Sequence, residues 1–252
     1  MKIFLIKKRY LAALAAVLSV FAITAVVNLP AAVTASVSTR QLPIYCVERD
    51  QKVVSISFDA AWGNEDTQEL IDILEEYHVK ATFFVVGDWV EKYPESVKAL
   101  HDAGHEVMNH SDTHAHYNSL SAEEIIADVE ACNDKIEAVT GVRPTLIRCP
   151  YGEYDDHVIA AIRSIGMEPI QWDVDSLDWK EISAGEITER VTSRIQPGSI
   201  VLFHNAALHT PEALPGILDY MIGQGYSVVP ISEILLEGEY YTDHTGRQCP
   251  AE

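Results

Sequence analysis

Short apolar segments alternate with amphipathic segments along most of this 252-residue chain. Each apolar segment has the β-branched, nearly continuous composition of a strand buried on both faces. The segments between them carry apolar residues at helical spacing, as Leu70, Ile73 and Leu74 do. Strands that alternate with helices form parallel sheets, because each helix returns the chain to the same edge. The predicted strands are 53–58, 81–86, 106–108, 145–147, 169–172, 199–203 and 226–231.

The helix boundaries follow from local signals. Ser121, with Glu124 three residues later, forms a capping-box pattern, and Gly141 ends the helix that it opens. At this length, seven strand–helix units predict an α/β fold, an incomplete or distorted (β/α)7 barrel with parallel strands. An open doubly wound sheet has the same signature and stays an alternative. The other predicted helices are 66–77, 89–102, 156–165, 185–195, 211–222 and 232–236.

The N-terminal segment has the pattern of a targeting sequence. Residues 1–9 contain four basic residues and no acid, and residues 11–27 are apolar apart from Ser19 and Thr24. We interpret 1–9 as a basic n-region and 10–35 as a signal anchor or signal peptide. We favour the uncleaved anchor, which places the rest of the chain outside the cytoplasm and gives it a membrane contact.

The charge of the remaining chain restricts its partners. Four of the 18 basic residues lie in residues 1–39, which hold no acid, so the rest has 14 basic against 38 acidic residues, a net charge of −24. Such a charge excludes nucleic acid, whose phosphates it would repel, and a peripheral membrane surface. A neutral or cationic substrate, or a solvated exterior, agrees with it.

The length and composition predict one folded domain between a linker and a polar tail. Residues 52–236 have the length of a single domain, preceded by a linker at 36–51 and followed by a polar tail at 237–252. Four cysteines are too few for a disulfide scaffold, although Cys46 and Cys249 flank the domain and would be able to pair outside the cell.

Polar side chains follow the predicted strands at their carboxyl ends, where parallel α/β folds build their sites. His110 and His114 lie four residues apart, which lets both imidazoles bind one metal ion if the backbone coils between them. The polar residues at these strand ends are Asp59, His110, His114, Arg148, Asp173, Asp175, Asp178 and His204. Together they provide a base, an acid and a metal site, which favours hydrolysis.

Five ordered motifs resemble those of the polysaccharide deacetylases with a NodB homology domain, carbohydrate esterase family 4. The resemblance covers about residues 52–236 and implies the NodB fold. Segment 58–64 and the N-terminal anchor are also similar to the PdaB-type sporulation members. The motifs are Ser57-Phe58-Asp59, His110-Ser111-Asp112-Thr113-His114, Arg148-Cys149-Pro150-Tyr151, Asp175-Ser176-Leu177-Asp178-Trp179 and Leu202-Phe203-His204.

The resemblance implies a catalytic role for four of these residues. Asp59 is the implied general base, and Arg148 keeps it ionised by charge pairing. His204 is the implied general acid for the leaving amine, and Asp178 orients it.

The resemblance also implies the residues that bind metal and substrate. His110 and His114 would hold a divalent metal, zinc or cobalt, and Tyr151 would lend its backbone N–H to the oxyanion. The acetyl group and sugar would contact Trp179, Leu202 and Asp175.

Two residues depart from the family pattern. Ala60 stands where the family has the aspartate that is its third metal ligand, and catalytic zinc usually keeps three protein ligands, so we expect weak metal binding. Replacement ligands would be Asp112, Glu65 or Asp66, none of which the spacing supports. Cys149 stands where the family commonly has Pro or Ala; its thiol either packs in the interior or binds a soft metal.

The expected function is therefore an extracytoplasmic, metal-assisted de-N-acetylase that acts as a monomer on peptidoglycan or a related glycan. A catalytically impaired relative that binds glycan without turning it over is the alternative that Ala60 favours. Deacylation of a small molecule or of an O-acetyl ester would use the same groups.

Overall fold

A computed structural model describes residues 40–251 of the chain. The predicted n-region at 1–9 and the apolar segment at 10–35 lie outside these residues. Within 40–251, every helix is too short or too polar to cross a membrane.

A parallel sheet forms the centre of the protein. Its order is β6-β5-β4-β3-β2-β8-β7, with β9 beside the beginning of β2, and every pairing is parallel. The sheet has β6 and β7 at its two edges and is a half-barrel, which confirms the predicted α/β fold with parallel strands. The strands of the described region are β1 Cys46–Val47, β2 Val53–Ala60, β3 Thr82–Val85, β4 Glu106–Asn109, β5 Leu146–Ile147, β6 Glu168–Pro169, β7 Val174–Asp175, β8 Ile200–His204, β9 Ser227–Val228, β10 Tyr240–Thr242 and β11 Arg247–Pro250.

Helices follow most strands of this sheet, and their ends agree with the local signals. The capping box of Ser121 and Glu124 is present, and Gly141 ends that helix in the left-handed conformation at φ 76°. The predicted helix 89–102 is two helices, because Pro94 restricts the preceding residue to non-helical dihedrals and starts a new helix. The helices are Thr67–Glu76, Gly87–Lys92, Pro94–Asp102, Ala122–Thr140, Asp156–Ser164, Ala184–Thr192, Thr210–Gly223 and Ile231–Ile234.

The central strand β2 has two chemically different faces. Val54, Ile56, Phe58 and Ala60 belong to the apolar cluster that also contains the buried residues of the surrounding helices. Ser55, Ser57 and Asp59 alternate with them and are buried polar residues on the inner face of the half-barrel. This polar inner face carries the first residue of the candidate site.

Three segments contribute strands that the sequence did not predict. Strand β7 lies between the predicted strand 169–172 and the helix after it. Strands β10 and β11 lie in the predicted polar tail and β1 in the predicted linker, and the three form a small second sheet, β1-β11-β10. The thiols of Cys46 and Cys249, in β1 and β11, are both buried and free.

Candidate active site

The register of β2 and β8 brings the predicted base and acid together. Asp59 and His204 are directly paired across these parallel strands, so their side chains leave the sheet on the same face. Both strands end here, and both side chains line one cavity of about 920 Å³ at the carboxyl end of the sheet. The prediction that strand-end residues converge is therefore correct for this pair.

Asp59 is part of a buried ion pair. Its Oδ1 accepts a hydrogen bond from Arg148 Nη1 at 2.7 Å, and Arg148 Nη2 donates to Ser57 Oγ at 2.9 Å. Burial raises the pKa of the Asp59 carboxyl, but the charges of Arg148, His110 and His204 and the hydrogen bond from Arg148 together outweigh burial and hold the pKa below its usual range. Arg148 is fully buried, with the rings of Phe84 and Trp172 beside its guanidinium. Asp59 therefore stays ionised at neutral pH.

His204 lies beside a carboxylate, whereas Asp59 lies beside a guanidinium. His204 Nδ1 lies 2.8 Å from Asp178 Oδ1, and Asp178 Oδ2 accepts from the His204 backbone N–H at 2.8 Å and from Thr210 Oγ1 at 2.7 Å. Burial lowers the pKa of the imidazole, but the hydrogen bond and charge of Asp178 outweigh it and raise the pKa. The imidazole therefore stays protonated to a higher pH than a free histidine and is able to donate a proton.

We expect Asp178→Asn to move the alkaline limb of the activity profile to lower pH by about one unit or more, since an opposite charge at this distance shifts a pKa by roughly 1–3 units. The shift is towards lower pH because Asp178 raises the pKa of His204. Without the Asp178 charge, His204 loses its proton at a lower pH. The measurement is kcat/KM against pH. Asp175→Asn is the matched control, because Asp175 raises the same pKa by charge alone and should produce a smaller shift.

The two predicted metal ligands lie together on the β4 side of the cavity. The rings of His110 and His114 are 5.0 Å apart between centroids. His110 Nδ1 lies 2.7 Å from the Arg148 carbonyl oxygen, so Nδ1 carries the proton and Nε2 keeps its lone pair, 3.5 Å from Asp59 Oδ2. Burial lowers the pKa of both imidazoles, that of His114 to about 4, which keeps them neutral as metal ligands must be.

Among residues 40–251, none of the three candidate replacement ligands joins this pair. Asp112 Oδ1 pairs with Lys135 Nζ at 2.8 Å, Asp66 Oδ2 accepts from the Ala206 N–H at 2.8 Å, and Glu65 is exposed. Within residues 40–251, no group of three or more His, Cys, Asp or Glu side chains is arranged to hold a metal ion. The donor set thus supplies two of the three ligands typical of catalytic zinc.

All four predicted substrate-binding residues line the same cavity. These are Leu202, which is buried, Tyr151 and Trp179, which are exposed, and Asp175. Tyr151 has a left-handed backbone at φ 59°, and its ring contacts that of His114 at 4.4 Å. Such strained backbone in a non-glycine residue is concentrated at functional sites, in agreement with the position that the motif predicts.

Cys149 packs in the interior. Its side chain is buried in an apolar cluster with Tyr117, Ile125 and Ile147. Burial raises the pKa of the thiol to about 12, so the thiolate needed for soft-metal binding is not available. The first of the two interpretations of Cys149 is therefore the correct one.

Sequence reasoning missed eight residues that line the cavity: Trp62, Gly152, Trp172, Glu181, Asn205, Ala206, Ala207 and Leu208. Trp172 was assigned to a buried strand, and Asn205 directly follows His204 without a motif position of its own. The signal that could have indicated Trp62 is its place in the sequence, three residues after Asp59 and beyond the end of a predicted strand.

The comparison with known proteins agrees with this geometry. The sequence model named polysaccharide deacetylase matches residues 47–170. The peptidoglycan-N-acetylmuramic acid deacetylase PdaC of Bacillus subtilis is 34% identical over 75% of this chain and 40% of its own length. The solved structure of PdaC matches with a TM-score of 0.67 and 35% identity, and the match covers 75% of this chain and 92% of that one. The chain belongs to the polysaccharide deacetylase family.

Relatives within this family differ in activity. PgdA of Listeria monocytogenes, a peptidoglycan-N-acetylglucosamine deacetylase, is 33% identical over 82% of this chain and 45% of its own length. A CE4 family pseudoenzyme from Bacillus anthracis matches with a TM-score of 0.74 and 37% identity over 76% of this chain and 68% of that one. The chain spans less than half the length of the curated relatives PdaC and PgdA. Family membership by itself therefore leaves the activity to be argued from the site.

Proposed function

We propose that this polysaccharide deacetylase removes N-acetyl groups from amino sugars of peptidoglycan or a related glycan. The observation that carries the proposal is the pairing of Asp59 with His204 across β2 and β8, each with its own buried partner. The pKa of Asp59 is lowered and that of His204 is raised, which is the separation of roles that general acid–base hydrolysis needs.

The chain's own residues define the sequence of proton transfers. Asp59 accepts a proton from the water whose oxygen attacks the acetyl carbonyl carbon, and the backbone N–H of Tyr151 receives the oxyanion. His204 then gives its proton to the amide nitrogen as the C–N bond breaks. The products are acetate and the free amino sugar. Arg148 and Asp178 contribute by holding the two groups in these protonation states.

We further propose that a divalent metal, zinc or cobalt, binds weakly at His110 and His114. When bound, such an ion would polarise the acetyl carbonyl and the attacking water. With Ala60 in place of the third ligand, the two imidazoles and solvent would complete the coordination, so occupancy depends on the free metal concentration.

A second candidate function is glycan binding with little or no turnover. The observation that favours it is the two-histidine donor set, and the similarity to a CE4 family pseudoenzyme agrees with it. The intact acid and base pairs favour the enzyme, because a protein that only binds glycan has no need of two buried charge pairs at the centre of its cavity.

Acetate release distinguishes the two functions. Purified protein is incubated with N-acetylglucosamine oligomers and with peptidoglycan, with and without added zinc or cobalt, and acetate is quantified. The enzyme proposal expects release that increases with added metal. Glycan binding by calorimetry without acetate release at any metal concentration would establish the second candidate instead.

We also propose that the chain acts outside the cytoplasm, as a monomer held by its N-terminal segment. The support is the basic and apolar pattern of residues 1–35 and the cell-wall substrates in the names of PdaC and PgdA. An uncleaved anchor predicts that the mature protein keeps Met1 and sediments with membranes. N-terminal sequencing that starts near Ser36 would instead show a cleaved signal peptide and a secreted protein.

A further inference from the structure

Exposed apolar side chains are concentrated at the mouth of the cavity. Of the eight large apolar side chains that are exposed in the described region, four line this cavity: Trp62, Tyr151, Trp179 and Leu208. Clusters of this kind mark ligand-binding surfaces rather than chance exposure. Tyr151 and Trp179 have positions in the family motifs, whereas Trp62 has none.

Trp62 lies beside both halves of the catalytic centre. Trp62 is 59% exposed. The centre of its ring is 6.0 Å from that of His114 and 6.5 Å from that of His204, with angles of 65° and 67° between the ring planes. A flat apolar face is thus fixed between a predicted metal ligand and the general acid, and most of it is open to a ligand.

The loop that carries Trp62 is held on both sides of this residue by one side chain. Asn205 Oδ1 accepts a hydrogen bond from the Ala61 N–H at 3.2 Å, and Asn205 Nδ2 donates to the Gly63 carbonyl. The same carbonyl accepts from Trp89 Nε1 at 2.9 Å. Asn205 itself is buried and directly follows His204. The amide therefore couples the position of the indole to the strand that bears the general acid.

The charges around the cavity favour an uncharged ligand on this face. Its lining carries the carboxylates Asp175 and Glu181 in addition to the catalytic pairs. No lysine or arginine is among the described residues that line the cavity, and Lys180 Nζ lies 4.9 Å from the centre of the Trp179 ring. A sugar ring with neutral hydroxyls and an apolar C–H face matches such a surface better than a group that carries a carboxylate.

We infer that Trp62 is a specificity-determining residue that stacks on a neutral sugar ring adjacent to the acetylated one, and that Asn205 is its positioning residue. This inference rests on the proposed function, since it assumes that the acetylated sugar lies at Asp59 and His204. The site then selects oligomers over single sugars, because only an oligomer reaches the acetyl pocket and the indole at the same time.

The test compares chitotetraose with N-acetylglucosamine for Trp62→Ala and Trp62→Phe. For the tetramer we expect Trp62→Ala to raise KM about tenfold, the order of effect for removing a tryptophan that the bound ligand covers. We expect kcat to change less than threefold. Trp62→Phe should lie between wild type and Trp62→Ala, and the single sugar should show no change. Tyr241→Ala removes an equally exposed aromatic ring outside the cavity and should leave both constants unaltered.

The role of Asn205 has its own readout. Asn205→Ala should raise KM for the tetramer as Trp62→Ala does, and it should change the tryptophan fluorescence that tetramer binding produces. The double variant should be no worse than Trp62→Ala alone, because both changes remove one interaction.

Binding measurements separate this inference from the proposed function. Calorimetric titration of chitotetraose into Asp59→Asn protein, with and without Trp62→Ala, needs no turnover. A tenfold loss of affinity supports the inference even if acetate is never released. Unchanged tetramer affinity, or an equal loss for tetramer and single sugar, would overturn it even if the enzyme proves active.

Discussion

Asp59→Asn is expected to reduce acetate release by a factor of about 10²–10⁴, which is the usual contribution of a general base. The amide has nearly the same shape but does not accept the proton of the attacking water. The variant also loses the negative charge opposite Arg148, whose guanidinium is fully buried. We therefore expect a loss of stability of about 3 kcal/mol, the lower end for a broken buried pair, because the amide oxygen still accepts the hydrogen bond. Activity assays and denaturant unfolding measure the two effects.

Ser57→Ala is the control that separates the two effects. Ser57 Oγ accepts from the same guanidinium at 2.9 Å and donates to the Val201 carbonyl at 2.8 Å, but it has no role in proton transfer. This variant should lose stability, by about 1–3 kcal/mol for an unsatisfied buried group, and keep most of its activity. An Asp59→Asn protein that retained more than about a tenth of wild-type activity would contradict the general-base role.

The second large effect is expected from Ala60→Asp. Ala60 is 1% exposed and ends β2 beside Val85 of β3. A carboxylate buried there is costly without a counter-charge, so the variant should be less stable than wild type in the absence of metal. Ala60 packs in the apolar cluster on the other face of β2 from Asp59, so the new carboxylate binds zinc only if it turns around the end of the strand towards His110 and His114. In that case zinc at a hundred times its dissociation constant should raise the Tm by about 5–10 °C, since binding at that excess contributes about 2.7 kcal/mol. Wild type should lose its zinc on dialysis and show a smaller shift.

Ala61→Asp is the matched control, because it adds the same charge one residue later. Its zinc response should equal that of wild type. If Ala60→Asp and wild type respond equally to zinc, the new carboxylate does not reach the ion. If wild type keeps one full equivalent through dialysis, another residue is the third ligand and the two-histidine site is wrong. Activity should rise in Ala60→Asp if metal occupancy limits turnover.

The pattern of the sequence predicted the repeating units of the fold and most residues of the site. Local signals were sufficient for elements such as the helix that Ser121 opens and Gly141 ends, because capping depends on groups only a few residues apart. The convergence of Asp59, Arg148 and His204 also followed from the sequence, because parallel strands all direct their carboxyl ends to one edge. Short strands were harder to predict from the sequence: β1, β7 and β11 depend on pairing with segments distant in the chain, which no local pattern records.

The tertiary structure alone decided how the site is supported and what surrounds it. The sequence places Asp178 and Thr210 32 residues apart, yet Thr210 Oγ1 donates a hydrogen bond to the Asp178 carboxylate, because the helix after β8 starts beside the turn that follows β7. The sequence likewise gives no sign that the amide of Asn205 holds the loop of Trp62, since Asn205 and Ala61 are 144 positions apart and meet only where β2 and β8 pair. The sequence determined which chemical groups are available at the strand ends. The hydrogen bonds and charges that set the protonation of these groups are properties of the packed structure, because each depends on atoms that only folding brings within a few ångströms.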